Sequence, residues 1–161
     1  MKKLLTLVFL LVGLVGFTQT NSHQQIYGTV FTQNNCRLTR PYTEINVQVC
    51  EWDSVRNITS LPLSPNQYTL GWALNGASGF YNYTIILMTP PTKPLVVKMT
   101  PMRGSCVFDT YRPTFAPWSA NHTRAAKIVI PFTPLGSTYY AIQNVYLIPY
   151  LIEQPRMEPQ N

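Results

Sequence analysis

Two acids in the first half of the chain have a spacing that is compatible with hydrolytic chemistry. Glycoside hydrolases place a pair of carboxyl groups on either side of the scissile bond. Glu51 and Asp53 are separated by one residue and would share a face of an extended segment. The same spacing is also typical of a charged rim at the end of a strand. A small secreted hydrolase is therefore one hypothesis, but this pattern does not favour it over a protein without catalytic activity.

Nucleophilic and metal chemistry have weaker support from the residue types. Cys106 and His122 would need to meet in space, with Asp109 as the orienting group, and no local signal marks an activated thiol. Neither His122 nor His23 stands at metal-ligand spacing from a cysteine or from the other histidine. The sequence contains neither a G-x-S-x-G elbow nor a glycine-rich phosphate loop. We therefore predict a protein that is not an enzyme and that uses no metal or cofactor.

Aromatic side chains are the residue class best suited to binding, because exposed rings stack on sugars and anchor protein partners. In a β-sandwich, however, most rings fill the core or pack across strands. Trp72 lies within an alternating pattern and is expected to be buried. Trp52, at the end of a predicted strand, and Trp118, in a proline-rich stretch, are the better surface candidates. Tyr139 and Tyr140, near the last predicted strand, extend the candidate ligand-binding set.

The first residues of the chain are typical of an export signal. Lys2 and Lys3 precede an apolar run from Leu4 to Phe17 of about 14 residues, which is too short to span a membrane. We predict cleavage before Gln19, with an uncleaved anchor as the alternative. The expected organisation is a signal peptide over residues 1–18, one domain over residues 19–152 and a loose tail over residues 153–161. The predicted location is secreted or periplasmic, without a membrane span after cleavage.

Three cysteines in an exported chain predict one disulfide and one free thiol. A bond between Cys36 and Cys50 would close a loop of about 15 residues and stabilise the fold by roughly 3 kcal/mol. Cys106 is an equally available partner for either of them. We take Cys36 and Cys50 as the predicted pair, which leaves the third thiol buried and unreactive.

Charge and sequons narrow the choice of partners only slightly. The formal charge of +6 comes from basic residues that are spread along the chain, which does not favour nucleic-acid binding. Sequons for N-glycosylation occur at Asn57, Asn82 and Asn121. Their number is close to the number expected by chance, and they matter only in a eukaryotic or viral source.

Alternation of apolar and polar residues places these candidates on short strands. The predicted strands begin with Ile26–Phe31, Ile45–Cys50 and Tyr68–Leu74, and end with Ala125–Phe132 and Thr138–Ile148. Gly28 is expected to mark a bulge or a close approach, and Ser54–Gln67 is expected to be a loop. No helical repeat follows the signal, and the 14 prolines argue against helices. The fold class predicted is all-β, a single antiparallel β-sandwich of seven to eight strands.

The clearest strand patterns lie between Gly79 and Thr100. Tyr81, Tyr83, Ile85 and Leu87 share one face, which we expect to point to the core, while Asn82 should face solvent. Three prolines between the two runs exclude a two-residue turn. The runs are therefore predicted either to pair through a wide loop or to cross between the two sheets.

The order of several features resembles a known class of module. An Ile-Tyr-Gly-Thr-Val opening strand, the INVQV strand that follows Pro41 and a Gly79-Phe80-Tyr81 strand entry resemble carboxypeptidase regulatory-like, or transthyretin-like, β-sandwich modules. This resemblance covers Ile26–Thr100 and implies a prealbumin-like fold without implying an activity. Ser78 stands where such modules often carry an acid. The Lys-Lys start and the Gln after the cleavage point resemble signal peptides of flavobacteria and their relatives.

These observations predict an exported module without catalytic activity. Its expected role is structural or protein-binding, at the cell envelope or outside the cell. The alternative is a carbohydrate-binding module that uses surface aromatic residues. Exposure of Trp52 and Trp118 separates these hypotheses, because buried rings cannot stack on a sugar.

Overall fold

The computed structural model describes residues 23–33, 36–76, 78–131 and 137–150. The predicted signal peptide, residues 1–18, and the predicted tail, residues 153–161, lie outside the described residues, and both stay predictions.

Strands form most of the described regular structure, and short helical segments connect some of them. In chain order the strands are β1 (His23–Phe31), β2 (Ile45–Asp53), β3 (Ile58–Pro62), β4 (Tyr68–Asn75), β5 (Phe80–Leu87), β6 (Leu95–Pro101), β7 (Thr114–Phe115), β8 (Thr138–Ile142) and β9 (Val145–Tyr146). The helical segments are α1 (Pro41–Glu44), α2 (Cys106–Thr110) and a 3-10 turn at His122–Arg124. The predicted all-β class is confirmed.

Two sheets pack face to face around one core. The first sheet has the order β4-β5-β1-β8, with β9 also paired to β1, and the second has the order β3-β2-β6-β7. On β2 and β5 alternate residues are buried, as the period of two requires. The buried cluster combines Ile26 and Ile85 of the first sheet with Val47, Val49 and Met99 of the second. The predicted sandwich-like architecture is therefore confirmed.

Two pairings in the first sheet are parallel, whereas the sequence predicted an antiparallel sandwich. Both β8 and β9 run parallel to β1 and share one register along it. The ladder breaks between them at Gln143 and Asn144, where Gln143 N–H donates to the Tyr27 carbonyl over 2.9 Å. A Cβ atom at Gly28 would lie 2.0 Å from the Gln143 carbonyl oxygen. Glycine at residue 28 thus permits the close approach predicted there.

The two strand patterns between residues 79 and 100 form β5 and β6, which do not pair with each other. β5 pairs with β1 and β4, while β6 pairs with β2 and β7. The connection therefore crosses between the sheets, which is the second predicted arrangement. On β5, Tyr83, Ile85 and Leu87 are buried and Tyr81 is half-buried, so the inner face is confirmed. Asn82 is only half-exposed, because its Oδ1 accepts a 2.8 Å hydrogen bond from a threonine of β1.

Two other stretches differ from their predicted structure. The predicted loop over residues 54–67 contains β3, which pairs with β2 through a register shift between Cys50 and Trp52. This five-residue strand ends in proline and was too short to show a pattern. The predicted strand Ala125–Phe132 instead makes a single bridge, between Ile128 and Leu95. Phe132 lies outside the described residues.

The disulfide joins Cys36 to Cys106, with 5.9 Å between the two Cα atoms, and the predicted pairing with Cys50 is wrong. Cys50 is a buried free thiol in β2. The shorter loop favoured the wrong partner, because folding brings together two connections that are 70 residues apart in sequence. Burial raises the pKa of the Cys50 thiol above its usual value, which disfavours the reactive thiolate form.

A segment after β7 covers part of the outer face of the second sheet. Leu95 and Val97 of β6 point into the main core, so Val96 points away from it. Val96 packs with Trp52 and Ala125 in a second buried cluster, against which the half-buried Phe115 also packs. The chain from residue 116 to residue 126, which we call the cover segment, therefore decides which side chains of this face meet solvent.

Candidate functional site

A tight loop at the start of the cover segment carries the most exposed tryptophan. Phe115 and Ser119 exchange two backbone hydrogen bonds of 2.7 and 2.9 Å, and the peptide bond between Ala116 and Pro117 is cis. Trp118 lies at the tip of this loop with 70% of its surface exposed. The prediction that Trp118 is a surface residue is confirmed.

Neighbouring segments anchor the base of this loop. Ala116 N–H donates to a β6 carbonyl over 2.9 Å, and the Ala116 carbonyl accepts from Ala126 N–H over 2.8 Å. The Pro117 carbonyl accepts a 2.7 Å hydrogen bond from Tyr146 N–H of β9. These bonds tie the loop to strands of both sheets, so the exposed ring of Trp118 projects from an ordered base.

Trp118 lines two separate clefts, each with a volume of about 380 Å³. The first cleft is lined by Pro117, Trp118, Ser119, Ala120, Asn121 and Arg124. The second is lined by Gln33, Trp118, Tyr146, Leu147, Ile148 and Pro149. Clefts of this size, apolar with a few polar groups, are typical of small-ligand sites.

Polar groups in the first cleft are held in place by short local hydrogen bonds. Asn121 Oδ1 accepts from the backbone N–H and the hydroxyl of Thr123 at 2.9 and 3.0 Å, so Asn121 caps the 3-10 turn. Ser119 Oγ donates to the Asn121 carbonyl over 2.7 Å. The Arg124 side chain is exposed beside them. The cleft thus places amide, hydroxyl and guanidinium groups next to the indole of Trp118.

Tyr146, in the second cleft, is the last ring of an aromatic row. Its ring stacks on Phe31 with 4.6 Å between centroids and 10° between planes, and Phe31 contacts Phe80 at 5.2 Å. The guanidinium of Arg37 lies 5.7 Å from the centre of the Phe80 ring. Tyr146 is the ring of this row that lines the second cleft of Trp118. Sequence reasoning missed Tyr146, although it alternates with buried Val145 and Leu147.

Trp52 is 6% exposed, and its prediction as a surface residue is wrong. The ring packs in the second cluster, with His122 at 6.2 Å and the ammonium group of Lys127 at 4.3 Å from its centre. His122 lies in the cover segment and Lys127 directly follows it, and this segment starts more than sixty residues after Trp52. Trp72, which was expected to be buried, is half-buried on β4.

The two tyrosines of the predicted set lie on β8 and do not line the clefts of Trp118. Tyr140 is 57% exposed and meets the Tyr27 ring edge-on at 6.1 Å. Tyr139 is half-buried and packs against the main core. The structure therefore separates Trp118 from Trp52, Tyr139 and Tyr140, and brings it next to Tyr146 instead.

The two acids proposed for hydrolysis have different surroundings. Asp53 Oδ1 accepts from Val55 N–H at 3.0 Å and from Arg56 N–H at 3.1 Å, which closes the turn after β2. These hydrogen bonds, led by that from Arg56, lower the pKa of Asp53. Glu51 borders a cleft of about 210 Å³ that Asp53 does not line. Asp53 is engaged in its own turn, so the two carboxylates do not face each other across that cleft.

The three sequon asparagines differ in accessibility. Asn57 is exposed in the turn between β2 and β3, with a positive φ of 55°. Asn121 is exposed but its side chain caps the 3-10 turn. Asn82 is half-buried on β5. Glycosylation at these positions stays a prediction that depends on the source.

The described residues contain no group of three or more His, Cys, Asp or Glu side chains arranged to hold a metal. They also contain no helix with the length and apolar character needed to cross a bilayer. Cys106 forms the disulfide, so it has no thiol to act as a nucleophile with His122.

No protein-family model, curated protein or solved structure matches this chain. The resemblance to transthyretin-like modules therefore stays a prediction from sequence motifs.

Proposed function

We propose that this chain is an exported binding module without catalytic activity, and that it recognises a carbohydrate through Trp118. The observation that carries the proposal is the 70% exposed indole on an anchored loop between two clefts. A large exposed ring on an ordered backbone is typical of a binding anchor, because the protein loses little conformational entropy when a ligand covers the ring.

The groups beside Trp118 match the two surfaces of a sugar. A pyranose ring has an apolar face of C–H groups that packs on an aromatic ring, and a rim of hydroxyls that needs hydrogen-bond partners. Arg124 and Asn121 supply polar groups in the first cleft, while Gln33 and the Tyr146 hydroxyl supply them in the second. Two clefts on either side of one indole suit consecutive units of an oligosaccharide.

Export is supported by two independent features. The amino-terminal residues have the composition of a signal peptide. The Cys36–Cys106 disulfide suits an oxidising compartment, since the cytoplasm keeps such thiols reduced. We therefore propose that the module acts in the periplasm or outside the cell.

Isothermal titration of the purified protein with soluble gluco-, xylo-, manno- and galacto-oligosaccharides tests the proposal. We expect at least one series to bind, and Trp118→Ala to weaken that binding by about tenfold or more, since stacking rings contribute roughly 1–3 kcal/mol at such sites. Tyr42→Ala is the matched control, because it removes a ring that is 68% exposed outside both clefts. This control should bind like the wild type.

A protein partner is the second candidate, and the outer face of the first sheet favours it. Tyr140 and Ile142 are 57% and 67% exposed on β8, next to the partly exposed Tyr27. Aromatic and aliphatic side chains grouped in this way are typical of protein interfaces. Failure of every oligosaccharide series to bind would overturn the carbohydrate proposal and leave this face as the binding surface to examine.

A further inference from the structure

We propose that a further cleft, formed by the residues around α1 and by the turn before α2, binds an oxyanion such as a phosphate or sulfate group. The cleft has a volume of about 460 Å³. Arg37, Arg40 and Arg103 line it, and all three side chains are exposed. It shares no lining residue with the clefts around Trp118, so the inference does not depend on the carbohydrate proposal.

The carboxylate oxygens of the acid that lines this cleft already accept hydrogen bonds from nearby backbone and hydroxyl groups. Glu44 Oε2 accepts from the backbone N–H groups of Thr39 and Arg40 at 2.7 and 2.8 Å. Its Oε1 accepts from the Thr39 hydroxyl at 2.9 Å, and the residue is 9% exposed. Within the part of the chain that the structure describes, the three arginine side chains form no salt bridge. Three guanidinium groups against one carboxylate leave the lining with a net positive charge, which an anion would balance.

Several bonds hold the walls of the cleft in place. The Cys36–Cys106 disulfide joins the connection after β1 to the start of α2. Met102 N–H donates to the Glu44 carbonyl over 2.9 Å, which ties the end of β6 to α1. The guanidinium of Arg37 lies against the Phe80 ring, 5.7 Å from its centre. A cleft with fixed walls loses less entropy when a ligand binds than a set of free surface side chains does.

The chemistry of the lining residues identifies the class of ligand. Arginine presents planar pairs of N–H donors that match two oxygens of a phosphate or sulfate group. Gly104, with a positive φ of 88°, leaves its part of the wall without a side chain, and a Cβ there would meet no atom within 4 Å. An oxyanion can therefore approach the arginines at this position without a steric barrier. The anion can be free, or it can be a substituent on a sugar.

Titration followed by nuclear magnetic resonance, at constant ionic strength, tests this site. Inorganic phosphate, inorganic sulfate and glucose 6-sulfate are added separately to the full protein. We expect saturable binding in the millimolar range, with the largest shifts at the amides of Thr39, Gly104 and Ser105. Arg40→Ala and Arg103→Ala should each weaken binding by about tenfold, because each removes a charge-assisted contact.

Arg56→Ala is the matched control, since Arg56 is an exposed arginine in the turn after β2. It should leave the dissociation constant within about twofold of the wild type, as isolated surface charges contribute little. Tighter binding of glucose 6-sulfate than of sulfate would indicate a sulfated sugar, and equal binding would indicate the free anion. Lack of saturation by all three probes, or an equal loss in Arg56→Ala, would overturn the proposal.

Discussion

Trp52 and Trp118 form the most instructive comparison in this protein. The sequence placed Trp52 at the end of a strand and Trp118 in a proline-rich stretch, and both rings were predicted to lie at the surface. The structure buries Trp52 to 6% exposure and leaves Trp118 70% exposed. The cover segment causes both outcomes, because it carries Trp118 at its start and contributes Ala125 to the cluster that encloses Trp52. One segment therefore separates a ring that stabilises the fold from a ring available for binding.

Substitution of Trp52 should have the largest effect. Trp52→Ala removes a buried ring from the second cluster, and we expect the free energy of unfolding to fall by roughly 3–5 kcal/mol. Urea denaturation monitored by circular dichroism measures this change. Trp118→Ala is the control, and its free energy of unfolding should stay within about 0.5 kcal/mol of the wild type. Equal losses in the two variants would contradict the comparison.

Removal of the cation above Trp52 should have a smaller effect. Lys127 places its Nζ 4.3 Å from the centre of the Trp52 ring and donates a 2.6 Å hydrogen bond to the Thr123 carbonyl. Lys127→Ala is expected to lower the free energy of unfolding by about 1 kcal/mol, the size of a partly buried cation–π contact. Denaturation of Lys93→Ala, which alters an exposed lysine before β6, provides the reference. A loss no larger than that of Lys93→Ala would mean that the cation does not stabilise the covered ring.

Local alternation predicted the inner faces well. Val47 and Val49 on β2, and Tyr83 and Ile85 on β5, point into the core as the period of two requires. The close approach predicted at Gly28 is also present, since the missing side chain leaves room for the Gln143 carbonyl. These features depend on neighbours within a few residues, or on a side chain too small to clash.

Features that depend on distant segments were not predictable in the same way. The partner of Cys36 is 70 residues away, and loop length favoured the nearer Cys50. The strand β3 became regular only because β2 supplies its hydrogen-bond partners. Burial of Trp52 requires a segment that starts more than sixty residues later. The second cleft of Trp118 likewise needs Tyr146, which reaches it only because β9 pairs with β1.

The central claim is that Trp118 is the exposed ring that binds a sugar, whereas Trp52 is buried. Hydroxyl-radical footprinting tests this claim most directly. The folded protein is compared with and without a saturating oligosaccharide that binds in the titration. Mass spectrometry measures the oxidation rate of each tryptophan. We expect fast oxidation at Trp118, slow oxidation at Trp52 and selective protection of Trp118 by the bound sugar, because only Trp118 is both exposed and beside the two clefts. Unchanged oxidation of Trp118 in the complex would contradict the proposed site.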